Sequence, residues 1–319
     1  MGKIKSPIFY MGGKYDLLDE LLPRFPKKEQ VETFIDLFGG SGTISLNVPY
    51  NNIIYNELNN NIVNLLYMLK NNNSDDIIKH IEKRVAEFDL PKISCDTRVK
   101  HYTELYKTKS NKSYLKFREF YNNQKIKDYK DLFTLTFFSF CNLIRFNSKN
   151  EFNMPFGNRC FLEEHKKVIS SCNKILNNKN IIFKNKNAFE ILDNIKEYND
   201  KIFIYIDPPY TNTTAIYNEQ RAFGGWSIED DFRLFDELDR LNKLGIKWCM
   251  SNVLEHKGKE NNHIKQWADK NGYEIIYLED KQYASLGKGN ANSKEIIIVN
   301  YETPYKKFSI FDFIEQEKE

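Results

Sequence analysis

The motif Asp207-Pro208-Pro209-Tyr210 contains the residue types that most directly suggest chemistry. It ends the apolar run Lys201–Asp207, which we predict to be a buried strand, and ligands bind beside the carboxyl ends of such strands. Consecutive prolines remove backbone donors, so a carboxylate and nearby carbonyls remain to accept both hydrogens of an exocyclic amino group. The tyrosine ring can stack on the heterocycle. This pattern favours methylation of an amino nitrogen; the alternative is a rigid turn with a core tyrosine.

A second motif, Gly39-Gly40-Ser41-Gly42, lies between the apolar run Glu32–Phe38 and a predicted helix that starts at Thr43. Glycines there let the backbone approach a ligand closely. Glu57 ends the next predicted strand, Asn52–Glu57, where a carboxylate binds both hydroxyls of a ribose. Because the loop is not GxGxxG, it suits S-adenosylmethionine better than a dinucleotide. The alternative is a glycine turn beside a surface glutamate.

The elements that carry these motifs alternate between strand and helix. Helical spacing occurs in Lys14–Leu22 and in Leu58–Lys70, and further strands are predicted from Asn180 onward. Residues 71–179 contain helical patterns and no comparable strand signal. The sequence therefore predicts an α/β fold with a doubly wound sheet, split by a helical insertion. The expected domains are residues 1–70 with 180–319 for catalysis, and residues 71–179 for target recognition.

One predicted helix of the carboxyl-terminal part is especially well marked. Ser227 and Asp230 form a capping box, and Gly245 ends the pattern. Its predicted apolar stripe consists of Phe232, Phe235, Leu238 and Leu241.

The inserted segment is basic. The range from Lys92 to Arg159 contains 14 Lys and Arg against 6 Asp and Glu, whereas the whole chain has a net charge of only +3. Aromatic residues are interleaved with these charges: Tyr102, Tyr106, Tyr114, Phe117, Phe120, Tyr121 and Tyr129. This composition suits a nucleic-acid phosphate backbone. The alternative is an ordinary solvated helical face over core aromatics.

Seven segments together resemble the Dam-type (D12 class) DNA adenine-N6 methyltransferases, in the order found in that family. They are Phe9–Leu18, Phe34–Val48, Tyr55–Lys70, Arg145–Gly157, Ile204–Thr213, Trp248–Asn252 and Asn292–Tyr301. The amino-terminal GGK and the EFNMPFG segment narrow the resemblance to this family. It implies a Rossmann-like class I methyltransferase sheet, S-adenosylmethionine as cofactor, and transfer to N6 of a flipped adenine in duplex DNA, in GATC or a related short site.

The resemblance also implies roles for individual residues. Asp207, Pro208, Pro209 and Tyr210 are the expected catalytic residues. The expected cofactor-binding residues are Tyr10, Gly13, Lys14, Asp36, Phe38, Gly39, Gly40, Ser41, Gly42, Glu57, Asn187 and Asp207. Ala188 stands where the family has an acid that contacts the cofactor's adenine ring, so Asn187 or a backbone group must take that contact. The expected DNA-binding residues are Arg145, Asn147, Lys149, Asn153, Pro155, Asn158 and Arg159.

Several other classes are excluded by what the sequence contains. Five scattered cysteines without a CxxC pair argue against a disulfide framework or a thiolate zinc site. No proline precedes a cysteine, which argues against cytosine-C5 methylation, and there is no P-loop. The histidines (His80, His101, His165, His256 and His263) are interpreted as surface residues, so no metal is expected.

The remaining expectations concern context. The sequence contains no credible membrane span and no signal-peptide pattern, so a cytoplasmic protein is expected. No obligate protein partner is implied; a cognate restriction endonuclease would be a functional counterpart. Two alternatives to a DNA methyltransferase stay open: an RNA methyltransferase acting on adenine or guanine amino groups, and a non-catalytic nucleic-acid-binding subunit with the same fold.

Overall fold

The computed structural model describes residues 2–10, 12–92, 104–197, 201–211, 225–256, 259–278 and 293–304. Its strands are β1 (Thr33–Asp36), β2 (Asn52–Asn56), β3 (Asn180–Lys184), β4 (Ile202–Ile206), β5 (Lys247–His256), β6 (Lys259–Glu260), β7 (Glu274–Tyr277) and β8 (Ser293–Val299). All eight form one sheet: seven follow the order β3-β2-β1-β4-β5-β8-β7, and β6 pairs with β5 beside this path. The strands from β3 to β5 in this order are parallel, and β8 runs antiparallel to both β5 and β7.

The described helices are α1 (Leu18–Leu21), α2 (Thr43–Asn47), α3 (Asn60–Asn71), α4 (Ser74–Glu87), α5 (Glu104–Asn122), α6 (Tyr129–Phe138), α7 (Glu163–Asn178), α8 (Ala188–Asp193), α9 (Ile228–Lys243) and α10 (Asn262–Asn271). The α/β architecture predicted from the sequence is confirmed. Four helices, α4 to α7, lie between α3 and β3, where the pattern predicted a helical insertion. None of the helices in the described ranges is long and apolar enough to span a membrane.

Both faces of the sheet are covered, which explains why its strands read as continuous apolar runs rather than alternating ones. Phe34 and Phe203 face a core that also contains residues of the inserted helices, such as Phe117. Ile35 and Ile204 face a second core, formed with α8, α9 and α10. The inserted helices therefore share a continuous core with one face of the sheet.

The predicted apolar stripe of α9 needs one correction. Phe235, Leu238 and Leu241 are buried as expected, but Phe232 is 49% exposed and Leu234 is buried in its place. The buried residues, from Asp231 through Leu234 to Leu241, follow helical spacing, and Phe232 falls outside this face. Its ring meets that of Phe235 edge-on and lies beside the ring of His263.

The order of the strands fixes the position of the site. The chain leaves β1 for β2 on one side and later returns to β4 on the other side of β1. The carboxyl ends of β1 and β4 therefore border a crevice at a topological switch point, where open α/β sheets bind ligands. The glycine loop follows β1, and Asp207 follows β4.

Candidate active site

The loop after β1 is built around positions that only glycine fits. A Cβ at Gly39 would lie 2.2 Å from the ring of Tyr55, and Gly40 and Gly42 have φ values of +49° and +75°. The Tyr55 hydroxyl donates to the carbonyl of Gly40 at 2.5 Å, which fixes the loop from below. Gly42 then begins α2. The backbone of this loop is consequently held close to the sheet, and its upper side faces a pocket.

Glu57, directly after β2, ties this loop to the next helix. Its buried carboxylate accepts from the backbone N–H of Gly40 at 2.9 Å and from that of Asn59 at 2.8 Å. Burial raises the pKa of Glu57, and these backbone donors oppose the rise. Each carboxylate oxygen has two acceptor positions. Glu57 can therefore hold the loop and still accept hydroxyl groups from a ligand in the pocket.

Asp36, the last residue of β1, is buried beneath the same pocket. One of its oxygens accepts from the hydroxyl of Ser45 at 2.7 Å and from the Ser45 backbone N–H at 3.2 Å. Burial raises the pKa of Asp36 to about 7, and the negative charges of Asp207 and Glu57 add to the rise, while the Ser45 donors oppose it. The pKa of Asp36 therefore lies near neutrality.

Asp36→Asn is expected to flatten the pH dependence of stability between about pH 4 and pH 7. The pKa of Asp36 is higher in the folded state than in the unfolded state, so the folded protein binds more protons in this window. The stabilising contribution of Asp36 is full below about pH 4 and is lost as the pH rises through about 7. Asparagine keeps an acceptor for Ser45 and carries no charge.

Thermal melts of the unliganded protein across this pH range would measure the effect. Asp236→Asn, which changes an exposed acid on α9, is the matched control. The wild type and the control should lose stability more steeply with rising pH than Asp36→Asn. Parallel curves of stability against pH for all three proteins would contradict the raised pKa of Asp36.

Asp207 lies at the carboxyl end of β4, and both of its oxygens have internal partners. Lys14 Nζ is 2.8 Å from Oδ2, and the Tyr210 hydroxyl donates to Oδ1 at 2.7 Å. Lys14 also donates to the Tyr210 hydroxyl at 2.9 Å. Burial and the charge of Asp207 raise the pKa of Tyr210 well above 10, so its phenol stays protonated as a donor. A substrate amino group that binds Asp207 must share or replace these donors.

The lining of the pocket also contains an aromatic wall, formed by Phe38, Phe189 and Trp226. Trp226 meets Phe38 edge-on, with ring centroids 5.5 Å apart, and stacks parallel to Phe189 at 6.1 Å. The guanidinium of Arg233 lies 3.9 Å from the centre of the Phe189 ring and packs on it. Such a wall can bind a flat heterocycle. The sequence reasoning missed Phe189 and Trp226; an aromatic immediately before the capping box was the available signal.

Asn187 caps the amino terminus of α8, because its side-chain oxygen accepts from the backbone N–H of Phe189 at 3.0 Å. Ala188 follows as a buried residue of the helix. Asn56 holds this turn, since its side chain bonds both the N–H and the carbonyl of Lys186 and also the carbonyl of Leu37. Asn187 therefore faces the pocket from a fixed turn.

The structure brings nearly all of the predicted catalytic and cofactor-binding residues into one pocket. Its lining contains Tyr10, Gly13, Lys14, Asp36, Phe38, Gly39, Gly40, Ser41, Glu57, Asn187, Asp207, Pro208, Pro209 and Tyr210. Gly42 is the exception: it lies behind the lining, where its left-handed backbone starts α2 next to Leu66.

The predicted DNA-binding residues lie elsewhere, on a hairpin-like segment of the inserted helices. Arg145 donates from Nε to the side-chain oxygen of Asn153 at 2.8 Å and from Nη2 to its carbonyl at 3.1 Å. Asn147 organises the turn by accepting from the N–H of Lys149. The structure places the others as follows: Lys149, Pro155 and Arg159 are exposed, whereas Asn147, Asn153 and Asn158 are half-buried.

The interpretation of the histidines as surface residues is wrong for three of them. His80 is 2.7 Å from Asp131, His165 accepts from the N–H of Leu162, and His263 is 3.0 Å from Asp231. They are partly buried because each one satisfies a polar group in the interior. His101 and the side chain of His256 lie outside the described residues, as do residues 93–103 of the basic segment and Asn212 and Thr213 of the quoted motif.

One group in the described part of the chain has the spacing of metal ligands: His80, Asp128 and Asp131. The oxygens of Asp131 already accept from His80, Arg84 and Gln124 at 2.6–3.1 Å. Burial raises the pKa of Asp131, but these donors outweigh it and the pKa is lowered. The carboxylate thus has its charge balanced by a guanidinium, and the group joins helices α4 and α6.

The chain is similar in sequence to a known family of methyltransferases. The sequence profile of the family described as D12 class N6 adenine-specific DNA methyltransferase matches residues 10–284. The chain is 36% identical over 313 residues to type II methyltransferase M.FokI of Planomicrobium okeanokoites, and 34% identical over 317 residues to modification methylase StsI of Streptococcus sanguinis. These alignments cover 95% and 97% of the chain but only 44% of each relative, so the chain spans less than half of their length.

A shorter relative matches over a comparable share of both chains. The DNA adenine methylase of Escherichia coli (strain K12) is 25% identical over 222 residues, which are 68% of this chain and 69% of the relative.

Proposed function

Because the chain belongs to the family of D12 class N6 adenine-specific DNA methyltransferases, we propose that it methylates N6 of a flipped adenine in duplex DNA, with S-adenosylmethionine as donor. The target would be GATC or a related short site. The observation that carries the proposal is the convergence of Asp207 and the Glu57-bound glycine loop in one pocket. Nucleoside-binding groups and an acceptor for an amino group thereby meet at adjoining strand ends.

The residues present fit S-adenosylmethionine. The glycine loop gives close backbone approach, the oxygens of Glu57 retain acceptor positions for ribose hydroxyls, and the wall of Phe38, Phe189 and Trp226 suits an adenine ring. Asn187 lines the pocket two residues before Phe189, and it is proposed to take the contact that the family assigns to an acid. When bound, the cofactor would supply an electrophilic methyl group, and S-adenosylhomocysteine would be the product that leaves.

Catalysis by this chain is mainly a matter of holding the target amino group. Asp207 accepts one of its hydrogens, and a neighbouring carbonyl of the Pro208-Pro209 turn accepts the other, so the nitrogen lone pair points away from both. Tyr210 stacks on the base, which offsets part of the few kcal/mol that extrusion of a base costs. Asp207 need not act as a strong base, because the amino nitrogen becomes acidic only as its bond to the methyl carbon forms. The proton that the nitrogen then loses can pass by way of the partly exposed Asp207 carboxylate to solvent. Alignment of the target nitrogen with the methyl group would then supply most of the acceleration of methyl transfer.

DNA binding is proposed for the inserted part, residues 71–179, and catalysis for residues 1–70 with 180–319. The exposed side chains of Lys149 and Arg159 lie on the hairpin-like segment of residues 145–159. The names of the relatives include a modification methylase, so a restriction–modification role and the cytoplasm are the proposed setting.

Lys149→Ala is expected to weaken binding to cognate and scrambled duplexes alike and to lower the slope of log affinity against log salt by about one. Lys149 is exposed at the tip of the segment, so its removal leaves the Arg145–Asn153 brace intact. Lys243→Ala, which removes an equal exposed charge at the end of α9, should leave the slope unchanged. Equal slopes for the wild type and Lys149→Ala would contradict the proposed DNA face.

An RNA amino-group methyltransferase is the second candidate, because motifs like Asp207–Tyr210 also serve that reaction. The test is transfer of a labelled methyl group from S-adenosylmethionine to duplex DNA and to structured RNA, side by side. Label on the duplex alone is the expected result. Label on RNA alone would replace the proposed substrate, and binding without transfer to either would indicate a non-catalytic subunit.

A further inference from the structure

The carboxylate of Asp231, in the first turn of α9, accepts from three side chains in different parts of the chain. Thr211 donates to Oδ2 from its hydroxyl at 2.9 Å, and His263 Nε2 lies 3.0 Å from the same oxygen. The indole N–H of Trp226 donates to Oδ1 at 2.8 Å. The side chain of Asp231 is 2% exposed. A carboxylate so deeply buried is costly unless it is well compensated, so this arrangement fixes its three partners firmly.

Two of these partners are linked to the candidate active site: Thr211 follows a lining residue, and Trp226 is itself in the lining. Thr211 follows Tyr210 directly, so its hydroxyl anchors the chain at the end of the catalytic motif. Trp226 belongs to the aromatic wall and packs against Phe38 and Phe189. Asp231 itself is not part of the pocket lining, and it therefore acts on the pocket through these neighbours.

We infer that Asp231 is a positioning residue that sets the distance between the base-binding motif and the aromatic wall of the pocket. This inference rests on the proposed function. The Tyr210 hydroxyl donates to Asp207 at 2.7 Å, so a target amino group must displace this hydroxyl or share the carboxylate with it. The Thr211–Asp231 bond limits how far Tyr210 moves when that happens. The hydrogen bond from Trp226 fixes the aromatic wall to the same carboxylate.

Three variants test separately the hydrogen bonds that Thr211 and Trp226 donate to Asp231. Thr211→Val removes the hydroxyl at nearly constant volume, and Trp226→Phe keeps an aromatic ring while removing the N–H. Loss of one hydrogen bond to a carboxylate corresponds to about a tenfold effect or more. Thr211→Val should lower kcat about tenfold with cofactor affinity within about twofold, and Trp226→Phe should raise the cofactor Kd about tenfold with a smaller effect on kcat. Asp231→Asn should change both quantities.

The measurements are calorimetric titration of S-adenosylmethionine and turnover on duplex DNA at saturating cofactor. Asp236→Asn, an exposed change on the same helix, is the control and should match the wild type. If Asp231→Asn does not fold, the two partner variants still decide, because a purely structural role would not separate kcat from Kd. Folded Thr211→Val and Trp226→Phe variants with unchanged kcat and unchanged cofactor Kd would overturn the inference. The inference would also be overturned if both variants altered the same one of these two quantities. A wild type that neither binds the cofactor nor methylates DNA would instead overturn the proposed function.

Discussion

Asp207→Asn is expected to abolish methyl transfer while the protein stays folded and binds its cofactor. Asparagine preserves the size of the side chain but replaces one acceptor oxygen with an N–H donor, which would oppose the N–H of the target base. Loss of one preorganised catalytic hydrogen-bonding group costs about 10²–10³-fold in turnover. We expect a loss at the upper end of this range, because in the proposed reaction Asp207 would contact the reacting nitrogen directly.

The asparagine variant is the sharper test because of Lys14, which is 4% exposed and paired with Asp207 at 2.8 Å. Asp207→Ala would leave this buried ammonium without its counter-ion, and such a loss destabilises a protein by about 3–5 kcal/mol. Asp207→Asn also removes the negative charge, but it keeps an oxygen that accepts from Lys14, so we expect it to destabilise the protein less than Asp207→Ala does. Turnover by the folded asparagine variant above a tenth of the wild-type rate would remove Asp207 from the reaction.

Glu57→Ala should produce the largest loss of cofactor affinity. Each charge-assisted hydrogen bond to a ribose hydroxyl contributes about 1.5–3 kcal/mol, so two such bonds correspond to a weakening of at least about 10²-fold. The structure adds a second cause, because the backbone N–H groups of Gly40 and Asn59 lose their acceptor and the glycine loop loses its support.

Glu57→Gln separates these causes. It retains one oxygen for the loop but has no charge, so its effect should lie between those of the wild type and Glu57→Ala. Glu29→Ala, at an exposed position, is the control for removal of an acid. Calorimetry with S-adenosylmethionine measures all four proteins. Unchanged affinity in a folded Glu57→Ala would exclude Glu57 from the cofactor site.

The sequence predicts the parts of this site that depend on local order. Continuous apolar runs indicated strands buried on both faces, and the residues directly after them had to reach the same edge of the sheet. The glycine loop, Glu57 and Asp207 could therefore be placed together before the structure was known. The glycines at positions 39 and 40 have a tertiary reason as well, since the Tyr55 ring lies against one and its hydroxyl bonds the other.

Contacts between distant segments could not be read from the same patterns. Periodicity shows which face of a helix is apolar, but it does not identify the partner of a buried polar group. Lys14 lines the pocket in which the cofactor is expected, but its contacts with Asp207 and Tyr210 have no signature in the sequence. For the same reason, the sequence patterns assign no role to Asp231 and indicate a surface position for His263, whereas the two side chains contact each other in the structure.

The identity of the methylated base tests the central claim most directly. A physical argument from Asp207 applies to the amino groups of both adenine and cytosine, and family membership selects adenine. Duplex DNA incubated with the protein and S-adenosylmethionine would be digested to nucleosides, and the products would be identified by mass spectrometry. The account predicts N6-methyladenine, absent from a parallel reaction with Asp207→Asn. N4-methylcytosine as the product would contradict it.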